Sequence, residues 1–182
     1  MTFRELLVES KIIIYHGDNF GTTKIDAKLM NNGNNQEGIG IYFSNNIDTA
    51  KSYGKDIIKI EGNLKLIPSR VDMSIINDKK IYNLLKDMHK ADLEKFYYYI
   101  SDYIEVYEPE DVNDKHIIEM IKYAKSEQVR NFQVDMAEKF GVEEFVKSWN
   151  KHIKIDGTYE KQNSKEIWYA IINTDIKVEK IN

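Results

Sequence analysis

A chain of 182 residues, 42% hydrophobic and 31% charged, has room for one packed domain or one domain carrying a large insertion. Its formal net charge of −4 gives no general attraction to nucleic acid or an anionic membrane, and no apolar run approaches the ~20 residues of a membrane span. There is no cysteine, which excludes disulfides, thiolate nucleophiles and cysteine-ligated metals.

The chain opens on a short amphipathic stretch (Phe3, Leu6, Leu7), followed by Lys11-Ile12-Ile13-Ile14-Tyr15, whose β-branched run predicts a buried strand. Asn31-Asn32-Gly33-Asn34-Asn35 reads as a loop. Gly40-Ile41-Tyr42-Phe43 predicts a second strand, then a short helix capped by Ser44, Asn45 or Asn46 and ended by Gly54. Ile57 to Ile60 and Leu64 to Ile67, flanking Glu61-Gly62-Asn63, predict a hairpin with a tight turn. From about Ser74 to Asn150 the periodicity is helical. Leu93, Phe96, Tyr97, Ile100, Ile104 and Tyr107 recur at helical spacing, as do Ile117, Ile118, Ile121 and Ala124, and Gly141 is placed to stop a helix. The tail returns to strands at Ile153-Lys154-Ile155, Glu166 to Ile172 and Ile176-Lys177-Val178. Strands, helices, then strands predict an α+β fold. If both β portions join one sheet system, the helices are an insertion or a second lobe.

Three short segments carry the chemistry. His16-Gly17 closes the first strand. Gly38-Ile39-Gly40-Ile41-Tyr42-Phe43-Ser44 forms the second, and Ala50-Lys51-Ser52-Tyr53 completes the helix after it. Glu166 opens the late strand in Ser164-Lys165-Glu166-Ile167-Trp168-Tyr169. Singly, each has a plainer reading: a turn, a strand with core aromatics, a solvated charge at a strand edge. In this order, with Tyr42 and Tyr53 eleven positions apart, the sequence resembles the ADP-ribosyltransferase superfamily. The resemblance is to its His-Tyr-Glu branch, which includes diphtheria toxin and the poly-ADP-ribose polymerases. It extends from His16 to Ile172 and leaves the helical block without a counterpart.

That resemblance implies a split two-sheet transferase core within a single domain of residues 1–182, with a helical insertion at about 74–150. It implies a mono-ADP-ribosyltransferase that cleaves NAD⁺ at the nicotinamide–ribose bond and transfers ADP-ribose to a macromolecular acceptor, expected to be a host protein. NAD⁺ is then the substrate, and no residue's role requires a metal. Cleavage passes through a ribosyl oxocarbenium-like state, so a carboxylate near the ribose is the main requirement, as in glycosidases. The resemblance assigns that carboxylate to Glu166, set against the 2′-hydroxyl of the nicotinamide ribose. Tyr42 and Tyr53 would sandwich the cationic nicotinamide ring. His16 would hydrogen-bond a ribose hydroxyl, and Gly17 would let the backbone close on the carboxamide. Two alternatives stay open: an NAD⁺ glycohydrolase with water as the acceptor, and an inert transferase-like module that binds and inhibits a partner.

Departures narrow the acceptor. Arginine-modifying members of the superfamily carry Glu-x-Glu or Gln-x-Glu, where this chain has Ser164-x-Glu166, so arginine is disfavoured. Some polymerase relatives hold the carboxamide with a serine three residues before the second tyrosine, where this chain has Ala50, which favours mono-transfer. Outside the motif, Tyr97-Tyr98-Tyr99 could stack on bases but reads first as core packing. His116 and Glu119 share a helix face without an evident third metal ligand. Glu105, Glu108, Glu110, Asp111 and Asp114 form an acidic stretch that reads as a solvated loop and could meet a basic protein target. Residues 1–9, ending Leu7-Val8-Glu9 before Ser10, resemble the cleavable capsid-targeting leaders of internal head proteins in T-even-type tailed phages, although an ordinary first helix fits as well. The leader reading implies a phage effector packaged in the virion and acting in the host cytoplasm.

Overall fold

The computed structural model describes residues 8–19, 21–30 and 38–181. The amphipathic opening at Phe3, Leu6 and Leu7, the Asn-rich loop at 31–35 and most of the leader at 1–9 lie outside the described residues. The fold is α+β. Strand β1 (Val8–Asp18) grows from the β-branched run and pairs antiparallel along its whole length with β3 (Asp56–Pro68), from Val8 opposite Leu66 to Asp18 opposite Asp56. Strand β2 (Ile41–Ser44) meets β1 at Tyr15 opposite Ser44, and pairs antiparallel with β5 (Ile167–Ile171) from Ile41–Ile171 to Ser44–Trp168. Strand β4 (Gly157–Lys161) lies antiparallel to β5 and parallel to β3, with Leu66 opposite Gly157. The order β1-β2-β5-β4-β3 therefore closes back on β1, and β6 (Glu179–Ile181) adds antiparallel to β3. Closure consumes most of the unpaired strand edges that would otherwise invite association.

Parallel neighbours need a long crossover connection, and between β3 and β4 that connection is helical. It comprises α2 (Asp78–Ala91), α3 (Leu93–Ser101), α4 (Asp114–Ser126), α5 (Val129–Phe140) and α6 (Val142–His152). Local chemistry sets the boundaries. Asn77, Asp92 and Asn113 cap α2, α3 and α4 by accepting from Lys79, Lys95 and Lys115 backbone N–H groups. Gly141, at φ +92°, breaks α5 from α6. The helices do not stand apart from the strands. Ile14, Ile58, Ile60 and Leu66 share one continuous buried cluster with Phe96, Phe132, Phe145 and Trp149. Each such side chain contributes roughly 1.5–3 kcal/mol on burial, so the two portions stabilise each other. A polar contact joins them too: the buried Gln133 on α5 accepts from Ile39 N–H at 3.2 Å, just before β2.

The first α-helix of the chain, α1 (Ile47–Tyr53), connects β2 to β3. It is capped by Asn46, which accepts from Asp48 N–H at 2.9 Å, and ended by Gly54, as the sequence predicts. It lies hard against the end of β1. A Cβ on Gly17 would sit 1.9 Å from the Ala50 carbonyl oxygen, and one on Gly54 would sit 2.1 Å from that of Asp18. Only glycines allow this approach.

Several expectations are corrected. The hairpin at 57–67 is one continuous strand: Gly62 stands opposite Ile12, and pairing to β1 outweighs the turn-like Glu61-Gly62-Asn63. Ile153-Lys154-Ile155 is no strand, because Lys154 adopts a left-handed φ of 59°; Ile153 and Ile155 are buried beneath the turn leaving α6. The last strand is Glu179–Ile181, not 176–178, and β4 had no forecast. Helix α3 ends at Ser101, so Ile104 and Tyr107 are beyond it, and Ile118 is exposed on α4. Of Tyr97-Tyr98-Tyr99, the core member is Tyr99. The proposed Glu9–Ser10 junction falls within β1, opposite Lys65 and Leu64.

Candidate functional site

The strand order brings the sequence-selected residues to one end of the sheet. Strand β2 lies between β1, whose last residues are His16-Gly17-Asp18, and β5, which begins just after Glu166. On β2 the pleat puts Tyr42 and Ser44 on one face and Phe43 on the other. Two asparagines fix the approach to β5. Asn45 donates to the Lys165 carbonyl at 3.1 Å and accepts from Ile167 N–H at 2.9 Å. Asn163 Oδ1 accepts from the N–H groups of Lys165 and Glu166 at 2.8 and 3.0 Å.

Held in this way, the Glu166 side chain turns toward α1. Its Oε1 accepts from Thr49 Oγ1 at 2.7 Å, from Trp168 Nε1 at 2.9 Å and, more weakly, from Ser44 Oγ at 3.4 Å. The Thr49 hydroxyl first, and the Trp168 indole next, hold the Glu166 carboxyl below the usual glutamate value of 4.5. Donors converging on a carboxylate favour its charged form, so Glu166 is an anion throughout the neutral range. Ser44 is tied in from both sides, since its Oγ also accepts from Asn46 N–H at 3.0 Å.

Tyr53, at the end of α1, is 62% exposed and rests edge-on against Trp168, with ring centroids 6.5 Å apart at 85°. Trp168 therefore bridges Tyr53 and Glu166. Tyr42 is half-buried, and its hydroxyl donates to the Gly38 carbonyl at 2.6 Å. His16 is reached through the backbone of β2. Its Nδ1 lies 2.7 Å from the Tyr42 carbonyl, which can only accept, so Nδ1 carries the proton. Its ring packs on Phe43 at 5.5 Å, and Nε2 lies 3.7 Å from the Asp18 carboxylate. Gly17 is buried against Ala50, so the absence of a side chain there already has a packing cause.

Glu166 and Tyr53 thus connect through Trp168, with Thr49 and Ser44 joining at Glu166; Tyr42 shares the Ser44 face of β2 but bonds to Gly38, and His16 touches β2 from its other face. Sequence reasoning did not single out Thr49, Trp168 or Asn163. Trp168 had a readable signal, because residues two apart on a strand share a face. Thr49 had none before α1 was docked. His116 accepts from Asn113 N–H as part of the α4 cap. Among the described residues, no group of three or more His, Asp or Glu side chains could hold a metal, and no helix is long and apolar enough to cross a membrane.

No family model matches the chain. No curated protein matches it either. A solved structure described as an anti-CRISPR protein is similar at 14% identity and a TM-score of 0.38, over 96% of this chain and 98% of its own.

Proposed function

We propose that the protein is a mono-ADP-ribosyltransferase acting on a protein acceptor, expected to be a host protein, with Glu166 as its catalytic carboxylate. The observation that carries this reading is the Glu166 network. A carboxylate kept ionised by Thr49 and Trp168 stands beside an exposed tyrosine ring, assembled from segments more than a hundred residues apart in sequence. A solvated strand-edge glutamate needs none of this scaffolding.

In this reading NAD⁺ lies across the end of β1, β2 and β5, with nicotinamide against Tyr53 and Tyr42 and its carboxamide at the Gly17 backbone. The C1′–N bond breaks, its electron pair leaves with neutral nicotinamide, and positive charge develops on the ribose. Glu166 stabilises that charge without reorganising, because its donors already fix it. The acceptor's nucleophile then forms the new bond to C1′, and its proton passes to solvent. For His16 to hydrogen-bond a ribose hydroxyl, Nε2 must exchange its present neighbour, the Asp18 carboxylate at 3.7 Å, for the ligand. In this reading β1–β3–β6 and β2–β5–β4 would correspond to the two halves of a split transferase core, here joined at both the β1–β2 and the β3–β4 pairings, with the helical block between β3 and β4.

The test is incubation with NAD⁺ labelled in the adenylate moiety and a host lysate. Label on a discrete protein band supports the reading. Release of free ADP-ribose without a labelled band makes the protein a glycohydrolase, and no NAD⁺ consumption overturns the reading.

A further inference from the structure

A single peptide unit ties the helical block to Tyr42. The buried residues of α5 are Val129, Phe132, Gln133, Met136, Ala137 and Phe140, so Gln133 is the polar exception on an apolar face, and it is fully buried. Its Oε1 accepts from Ile39 N–H at 3.2 Å, while its Nε2 is buried without a hydrogen-bond partner among the described residues. An unpaired buried donor carries a desolvation cost that a leucine or methionine would not, so packing alone does not account for an amide here. The contact of its oxygen with Ile39 does.

The Ile39 N–H belongs to the same planar unit as the Gly38 carbonyl, and that carbonyl accepts from the Tyr42 hydroxyl at 2.6 Å. Gln133 therefore holds one side of the plane and Tyr42 the other. Because the unit is rigid, turning its N–H away from Gln133 also turns its carbonyl away from Tyr42. The two hydrogen bonds lie in series through the amide, so each polarises the other. The surroundings leave the plane little room. Gly38 has a φ of +117°, and a Cβ there would stand 2.2 Å from Gln133 Oε1 and 3.1 Å from Thr158 Oγ1. On the other flank, a Cβ on Gly40 would stand 2.7 Å from the Ile171 carbonyl oxygen.

We propose that Gln133 is a positioning residue: from α5 it orients the Gly38–Ile39 plane and, through that plane, the Tyr42 ring. The helical block, which the family resemblance leaves unmatched, thereby sets one wall of the nicotinamide site. That consequence rests on the transferase reading, whereas the link from Gln133 to Tyr42 does not.

Gln133→Met keeps the length of the side chain, suits the apolar face and removes the acceptor. In the protein without NAD⁺, the NMR signals of the Tyr42 ring should move in this variant, while those of Tyr53, held by Trp168 instead, should not. NAD⁺ affinity should fall about fivefold, as expected for one hydrogen bond of ordinary strength. Tyr42→Phe, at a half-buried position, breaks the other end of the link and is the second variant. It should weaken NAD⁺ to a similar extent and move the Gln133 side-chain amide signals. The double variant should bind NAD⁺ no more weakly than the worse single variant, because both changes release the same plane. Unmoved Tyr42 signals in Gln133→Met, or Tyr42 and Tyr53 signals moving together, would overturn the proposal. So would unmoved Gln133 amide signals in Tyr42→Phe, or losses of affinity that multiply in the double variant. A wild-type protein that binds no NAD⁺ would overturn the transferase reading instead, and the ring and amide signals would still decide whether Gln133 positions Tyr42.

Discussion

Thr49→Val removes one hydroxyl from α1 and keeps the shape of the side chain. Of the donors to Glu166 Oε1 it deletes the shortest, the 2.7 Å contact, and leaves Trp168 at 2.9 Å and Ser44 at 3.4 Å. A hydrogen bond to a charged acceptor contributes about 1.5–3 kcal/mol where water is excluded. Glu166 is only part-buried, so water replaces part of that, leaving about 1 kcal/mol. If the bond holds the carboxylate where the ribose charge develops, kcat/KM for NAD⁺ cleavage falls about fivefold. The pH profile supplies a second readout. The folded Glu166 carboxyl lies below 4.5, so its stabilising contribution is present above that pH and is lost as pH falls through the lower folded value. The acid limb of activity should therefore lie below 4.5 in the wild type and move upward in Thr49→Val. Nicotinamide release measured across this range, with a melting curve for each protein, separates chemistry from folding. An unchanged rate with an unmoved acid limb would refute the role given to Thr49.

Tyr53→Ala should weaken NAD⁺ binding while Tyr53→Phe stays close to wild type, because stacking uses the ring; Tyr53 is 62% exposed, so neither should lower the melting temperature appreciably. An NAD⁺ titration of both variants checks this, and equal affinities would remove Tyr53 from the site. Gly17→Ala forces a methyl to within 1.9 Å of the Ala50 carbonyl, so α1 must shift, at a cost of roughly 1–3 kcal/mol. Denaturant unfolding should show that loss, and a fully stable variant would mean that α1 does not sit against β1 as described.

What could be read from the sequence was what local chemistry decides. A cap within Ser44–Asn46, the Gly54 and Gly141 stops and the helical block all follow from residues within a turn or two of each other. Failures came where distant pairing decides. Glu61-Gly62-Asn63 has the composition of a turn, yet stays extended because β1 pairs on both sides of it. Gly157–Lys161 has little apolar periodicity and becomes a strand through its neighbours β3 and β5. Ile153-Lys154-Ile155 alternates as a strand should, but the left-handed φ of Lys154 lets both isoleucines pack beneath α6. The candidate site divides in the same way. The choice of His16, Tyr42, Tyr53 and Glu166 rested on motif order and spacing, whereas the Thr49 and Asn163 hydrogen bonds to Glu166 form only when α1 and the β5 approach meet it.

The central claim is that Glu166 stabilises positive charge on the ribose of NAD⁺. Its most direct test is nicotinamide release from NAD⁺ by the wild-type protein and by Glu166→Gln, together with NAD⁺ affinity for each. The account predicts release by the wild type and a roughly 10²-fold slower rate in the variant, with affinity retained because the lost interaction acts in the transition state. Release at the wild-type rate by Glu166→Gln, or none from the wild type with host lysate present, would contradict it.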